Sequence, residues 1–462
     1  MFRKKVLTAW TIALINVCAI TNIKNFPLLA EYGLSIIFFL ILSALFYFVP
    51  VALVSAELAS GWPERGVYTW VKEALGPRMG FLAIWLEWIS NVIWYPTILS
   101  FIATTFAYVF NPEFAHNKMY VMGVILITFW SMTYINFLGM QVSGMISSVA
   151  ALGGTIIPIV LIIVMSAIWM ATSHPIQLEF STEALFSNLG SINQLVLLSG
   201  VLLGLAGMEM SAVHAKEVKN PQKDYPKGIL YSAILIFSFA VSGALAIGVI
   251  VPLEKIQLAS GGMEAFRYLF DAFDMSWAVP IIAAIATFGA LGMMSTWIVG
   301  PSRGLYAVAD HGDLPPVFHK ANEHGMPTNI MITQGIIVSI LSFVFLFMPT
   351  VNSSYWALVA LASLVYMIMY ILMFISGIVL KYTHPKTERV YKVPYGNLGM
   401  WVISIFGILG SGFGLAVSFF PPSQFETGNI VILEAFLIGS SAIFCIVPFL
   451  IFACRKPSWL KK

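Results

Sequence analysis

Charged side chains are scarce in this sequence, and four of them stand where charge is hardest to keep. Lys24, Glu87, Glu209 and Arg303 all fall within long apolar runs. A lysine at mid-bilayer costs about 2.5 to 3.5 kcal/mol on insertion scales, so such groups are expected to be paired, to reach an interface, or to act. Lys24 sits in Ile20-Thr21-Asn22-Ile23-Lys24-Asn25-Phe26-Pro27, with Tyr32 marking the end of its run. That leaves about seven residues, or about 10 Å of helix, to the interface, too far for complete snorkelling. Glu209 follows Gly204 and Gly207 in Gly200-Val-Leu-Leu-Gly204-Leu-Ala-Gly207-Met208-Glu209. Glycines lower the cost of unwinding a helix, and unwound backbone at membrane depth is tolerated only around a protein-lined cavity. Freed N–H groups suit a carboxylate; freed carbonyls suit an ammonium. The chemistry these residues could perform is therefore recognition of a zwitterion. Glycines alone would equally serve close helix packing, and it is Thr21 and Asn22 in the earlier run that favour a site.

Bond-making chemistry has no comparable support. No Ser/His/Asp set or Gly-x-Ser-x-Gly run stands at one membrane face, no metal-ligand cluster appears, and Cys18, Cys445 and Cys454 follow no spaced pattern and read as buried thiols. The sequence implies no cofactor, no metal and no nucleic-acid partner, and it leaves the oligomeric state open.

The elements that must position these residues are membrane spans. Hydrophobic residues make up 59% of the 462 residues and charged residues 10%, against about 25% charge in a soluble chain. Mean hydropathy is +0.89. Windows of about 20 apolar residues predict twelve spans, at 7–31, 33–60, 80–110, 119–137, 142–171, 192–215, 228–252, 277–309, 328–349, 355–380, 398–420 and 430–454. With the N-terminus inside, twenty of the 24 Lys and Arg fall on cytoplasmic segments and only Lys118, Lys255 and Arg267 outside, leaving Lys24 in the membrane. This bias predicts both termini in the cytoplasm of a multi-pass protein in the cell (inner) membrane. A short amphipathic helix is expected within 62–77, a bent connector at 310–327, and a short outer helix within 253–276. Glu57 and Glu434, near span ends, read as interfacial, and Trp94 as packing. His214 and His174 read as structural.

Motifs then add a resemblance. Gly207-Met208-Glu209, Glu217, Asn220-Pro221, Tyr225-Pro226, the run Trp297-Ile-Val-Gly300-Pro301-Ser302-Arg303-Gly304 continuing to Leu314-Pro315, Phe48-Val49-Pro50 and Pro421-Pro422 resemble the amino acid–polyamine–organocation superfamily of permeases, and within it the bacterial glutamate/GABA exchangers. The resemblance implies an all-α membrane protein of the LeuT-type fold. It would be one transmembrane domain (1–462), with a five-plus-five inverted repeat (7–171 and 192–380), two further helices (398–454) and discontinuous spans 1 and 6. It implies secondary transport of amino acids through a lipid bilayer by alternating access, with no ATP. Carried over residue by residue, Ile20, Thr21, Asn22, Ile23, Gly204, Gly207, Trp297, Tyr366 and Tyr370 would bind substrate, and the charges held within the membrane add Lys24 and Glu209 to that set. Lys24, Glu209, Glu87 and Arg303 are candidates for coupling or gating, with Lys24 and Glu209 expected to pair.

The sequence also departs from the exchangers. They carry tyrosine at the position of Lys24, glutamate at that of Asn25 and an acidic residue at that of Met293. Span 5 lacks the lysine of many proton-coupled relatives and offers Ser147 and Ser148. The chain ends at Lys462 without the exchangers' C-terminal plug, so transport is expected at pH 7 without truncation. The leading expectation is an amino acid antiporter, glutamate/GABA-like or exchanging related neutral or acidic amino acids. A proton-coupled symporter is the alternative, and a channel or amino acid-sensing receptor, lacking pore-lining charged rings or a signalling segment, is remote.

Overall fold

Runs of Leu, Ile, Val, Phe and Ala in lipid find no water for their backbone groups, and a helix satisfies every one of them within the segment. The computed structural model describes residues 8–64, 66–139, 152–172, 174–186, 192–209, 218–309, 312–422 and 426–460, and the element order is helical throughout. Short helices α1 (Ala9–Ile20) and α2 (Phe26–Ala30) come first. Then come α3 (Gly33–Gly61), the short α4 (Val67–Leu75), α5 (Pro77–Ala107), α6 (Lys118–Phe137) and α7 (Gly153–Ala171). The chain continues through α8 (Ile192–Gly204), α9 (Pro221–Ile250), the short α10 (Gly261–Ala272) and α11 (Val279–Ala309). It closes with α12 (Thr328–Phe347), α13 (Val351–Thr383), α14 (Gly396–Val417) and α15 (Ile430–Ala453). Ten of these helices are long and apolar enough to cross a membrane. They coincide with ten of the twelve expected spans. The other two, 7–31 and 192–215, are represented by the shorter α1, α2 and α8. Met210, Ser211, His214, Glu217, Ser147 and Ser148 lie outside the described residues.

Helix α5 is central: 89% of its apolar window is buried, against 17% for α15, which is peripheral. The extensive packings are α13 against α5 and α14, α1 against α9, and α11 against α5. Helix α13 starts on a capping box, in which the Thr350 hydroxyl accepts the Ser353 N–H at 3.0 Å and Ser353 Oγ accepts the Thr350 N–H. A π-helical turn, Ala44–Phe48, within α3 presents Tyr47 to the interior. The amphipathic helix expected within 62–77 is α4, which buries Val67, Tyr68, Trp70 and Val71. The expected outer helix is α10. The connector after α11 bends at Gly312 and Gly325, both at positive φ.

Three expectations need correction. Glu57 is not interfacial but 1% exposed. Its Oε1 lies 2.7 Å from Lys381 Nζ and 3.2 Å from an Arg389 guanidinium nitrogen, and its Oε2 accepts the Val393 N–H at 2.7 Å. This cluster ties the end of α3 to the end of α13 and the loop after it. A carboxylate near a span end looks like a headgroup contact in one dimension, and only the fold brings two cations onto it. Two of the cysteines are also less buried than expected: Cys445 is half-buried and Cys454 exposed. Trp94, read as packing, lines a cavity.

Candidate functional site

Helix α1 stops at Ile20 because the residues after it compete with the helix. Thr21 and Asn22 take extended backbone angles, the Asn22 side chain accepts the Lys24 N–H at 2.9 Å, and Pro27 supplies no N–H to the turn before it. One 3-10 turn, Ile23–Asn25, follows before α2 resumes. Among the described residues, the N–H groups of Asn22 and Ile23 and the carbonyls of Ile20 and Thr21 make no hydrogen bond within the protein. Helix α8 stops at Gly204, and Gly207 stands at φ +114°, a conformation that favours glycine.

The two stops face one another across a cavity of about 70 Å³, several times the space one water needs. From the first stop Ile20, Asn22, Lys24 and Asn25 line it; from the second, Gly204 and Ala206. Helix α5 supplies Ser90, Asn91 and Trp94, α11 supplies Met293 and Trp297, and α13 supplies Tyr355 and Tyr366. Asn22 Nδ2 donates to Met293 Sδ at 3.0 Å. The Trp94 and Trp297 rings lie 6.0 Å apart, and Tyr95 Oη donates to the Trp297 carbonyl at 2.8 Å, fixing α11 against α5. Lys24 is 3% exposed, with Nζ 5.1 Å from the ring centroid of Trp94 and 5.4 Å from that of Tyr355. A smaller cavity, lined by Thr21 and Leu40 among others, lies behind the first stop.

Of the other expected site residues, Ile23 faces away from the cavity and packs under α10, near Gly262. Gly207, Glu209 and Tyr370 form a layer beneath the lining. The buried Glu209 carboxylate accepts from Tyr366 Oη at 2.5 Å and Tyr370 Oη at 2.6 Å, and Tyr370 Oη accepts the Gly207 N–H at 3.2 Å. The Tyr47 ring meets Tyr370 edge-on. This contradicts the expected Lys24–Glu209 pair: among the described residues no ion pair joins them, because the two tyrosines occupy the carboxylate while Lys24 turns to the aromatic faces. Glu87 is half-buried, one turn before Ser90 and Asn91, whose side chains donate to its carbonyl. Arg303 lies further along α11, its guanidinium 3.7 Å from Met326 Sδ, and does not line the cavity. Ser90, Asn91 and Tyr355 were not legible as site residues, since each sits in a run whose polarity is ordinary for a packed helix.

Helix α10 covers the first stop, with Gly261 against Pro27 and Gly262 against Ile23. It is anchored by Thr104 Oγ1 to the Ala259 carbonyl (2.9 Å) and by the Leu258 N–H to Asn352 Oδ1 (2.6 Å). Within it, Ser260 Oγ donates to Glu264 at 2.8 Å, and burial pushes the Glu264 carboxyl up to about 7, against the opposing pull of that hydrogen bond and of Arg267. Among the described residues no three His, Cys, Asp or Glu side chains gather as a metal site would require.

A cavity with both polar and apolar lining between two helix stops, enclosed by long apolar helices, is the geometry of a membrane transport protein. An amino acid permease family model matches residues 7–441. The chain is 43% identical over 450 residues to an uncharacterised transporter of Legionella pneumophila, covering 97% of this chain and 96% of that one. It is 31% identical over 439 residues to a glutamate/gamma-aminobutyrate antiporter of Lactococcus lactis (94% and 87%). To a probable polyamine transporter of Arabidopsis thaliana it is 29% identical over 384 residues (82% and 71%). The chain belongs to the amino acid permease family. It is a membrane-embedded, secondary-active amino acid transporter related to the glutamate/GABA antiporters, and not an enzyme.

Proposed function

We propose that this protein is an amino acid antiporter that works by alternating access, exchanging glutamate, GABA or related neutral and acidic amino acids. The single observation that carries the reading is that two helix stops, after Ile20 and after Gly204, open onto one cavity. At the first stop the unbonded N–H groups of Asn22 and Ile23 are available to a carboxylate, and the carbonyls of Ile20 and Thr21 to an ammonium. Trp297 and Trp94 offer apolar faces to a substrate chain and keep water out without adding charge. Gly207, Glu209, Tyr366 and Tyr370 form a hydrogen-bonded layer that holds the second stop in place, and a substrate touching Tyr366 would disturb it.

On this reading the chain is a five-plus-five inverted repeat of the LeuT type, with halves at 7–171 and 192–380, two further helices at 398–454, and spans 1 and 6 discontinuous. The termini lie in the cytoplasm of an inner-membrane protein, as the distribution of Lys and Arg supports. Proton-coupled symport, with Glu209 or Glu87 taking the proton and Arg303 at the gate, is the alternative within transport.

Counterflow in proteoliposomes separates the two. An antiporter takes up labelled amino acid only into vesicles loaded with unlabelled substrate. Accumulation in empty vesicles under a proton gradient alone would replace antiport with symport.

A further inference from the structure

Among the described residues that line the cavity only Lys24 is ionic, and among the described residues no carboxylate lies within 4.0 Å of its ammonium. Glu209, the acid that could have balanced it, is taken by Tyr366 and Tyr370. Lys24 Nζ stands instead against two aromatic rings, 5.1 Å from the Trp94 centroid and 5.4 Å from that of Tyr355. Ring faces are electron-rich and attract a cation, so this cradle suits a protonated lysine. It does not supply a counter-charge. A buried ammonium without an anion is costly, and whatever enters the cavity decides whether that cost is relieved.

We propose that Lys24 is the residue that sets substrate charge: its ammonium pairs with a carboxylate on the substrate side chain, so among the neutral and acidic amino acids the cavity prefers those of net negative charge, and it rejects cationic amines. This rests on the reading of the cavity as the substrate site. A side-chain carboxylate meets a desolvated cation held in place by Trp94 and Tyr355. The isosteric carboxamide leaves that cation unpaired, and a diamine adds a second positive charge beside it. The zwitterionic head group does not compete for Lys24, because the backbone groups at the first helix stop are free to hold it. The polar neighbours fit the same division of labour: Asn22 already donates to Met293 and accepts the Lys24 N–H, and Lys24 is the one charged donor among the described lining residues.

The test is equilibrium binding of L-glutamate, L-glutamine and putrescine to the purified full-length protein, for the native chain, Lys24→Met and Lys24→Arg. Loss of one partner from a buried charge pair weakens binding by about 30-fold or more. The native protein should therefore prefer glutamate to glutamine by at least about that factor, and putrescine should not compete. Lys24→Met should bring the two amino acids to within about 3-fold of each other, which is the loss of that same pair, while Lys24→Arg keeps the preference. Equal binding of glutamate and glutamine by the native protein, or an unchanged preference in Lys24→Met, overturns the assignment and leaves the amino acid transporter standing. Binding of putrescine with no amino acid binding would overturn both. Should Lys24→Met fail to fold, the native ratio and Lys24→Arg still decide.

Discussion

Replacing Glu57 by glutamine should be among the most damaging single changes in this chain, though it lies outside the cavity. The carboxylate is 1% exposed and meets two cations that are themselves buried, Lys381 at 2.7 Å and Arg389 at 3.2 Å. Removing the acid strands both positive charges, and breaking a buried pair costs about 3–5 kcal/mol. Lys381→Met is milder, because Glu57 keeps Arg389 and the Val393 N–H; the loss of one charge-assisted hydrogen bond is about 1.5–3 kcal/mol. Unfolding of such proteins in detergent is commonly irreversible, so the readout is a half-life at fixed temperature. If the cluster is broken at the unfolding barrier, Glu57→Gln should shorten that half-life by roughly 100-fold or more, and Lys381→Met by less. A Glu57→Gln protein as long-lived as the native one, or one outlasting Lys381→Met, would refute the assignment of this cluster as a charge clamp between α3 and α13.

Tyr366→Phe and Tyr370→Phe each remove one hydroxyl from Glu209 and should each weaken the layer beneath the cavity by about 1.5–3 kcal/mol; counterflow rates measured at matched protein density should fall more for Tyr366, which also lines the cavity. Glu264 gives a pH dependence with a definite sign. Its folded carboxyl is raised to about 7 from an ordinary 4.5, so the folded state holds the proton longer, and burial of the ionised form erodes stability as pH rises from about 4.5 to about 7, by about 3 kcal/mol in all. Glu264→Gln should therefore raise thermal stability at pH 8 and leave it nearly unchanged at pH 4, by fluorescence unfolding in detergent. A Cβ placed on Gly289 would lie 2.3 Å from the Gly154 backbone, so Gly289→Ala should part α7 from α11 at a cost of about 1–3 kcal/mol, read as a loss of folded yield on size exclusion.

The spans were legible because lipid imposes one requirement, about 20 apolar residues, and the windows at 33–60 and 355–380 needed nothing else. Lys24 and Asn22 were legible too, since polarity inside an apolar run is conspicuous. What the linear sequence could not carry was partnership. Glu57 meets Val393 across 336 positions, and Glu209 meets Tyr366 across 157, so sequence alone places Glu57 at an interface and Glu209 beside Lys24, and the fold places neither there. Trp94 and Tyr355 are aromatic residues among many, and nothing local distinguishes a ring that faces lipid from one that faces a lysine.

If the proposed function is right, substrate occupies the cavity between the two helix stops. Ser90 lines it and is otherwise buried, so Ser90→Cys, in a chain with Cys18, Cys445 and Cys454 replaced by serine, places one thiol there. Saturation with an amino acid that supports counterflow should slow labelling of that thiol by a membrane-permeant reagent. Labelling at an unchanged rate while counterflow proceeds would place the substrate elsewhere.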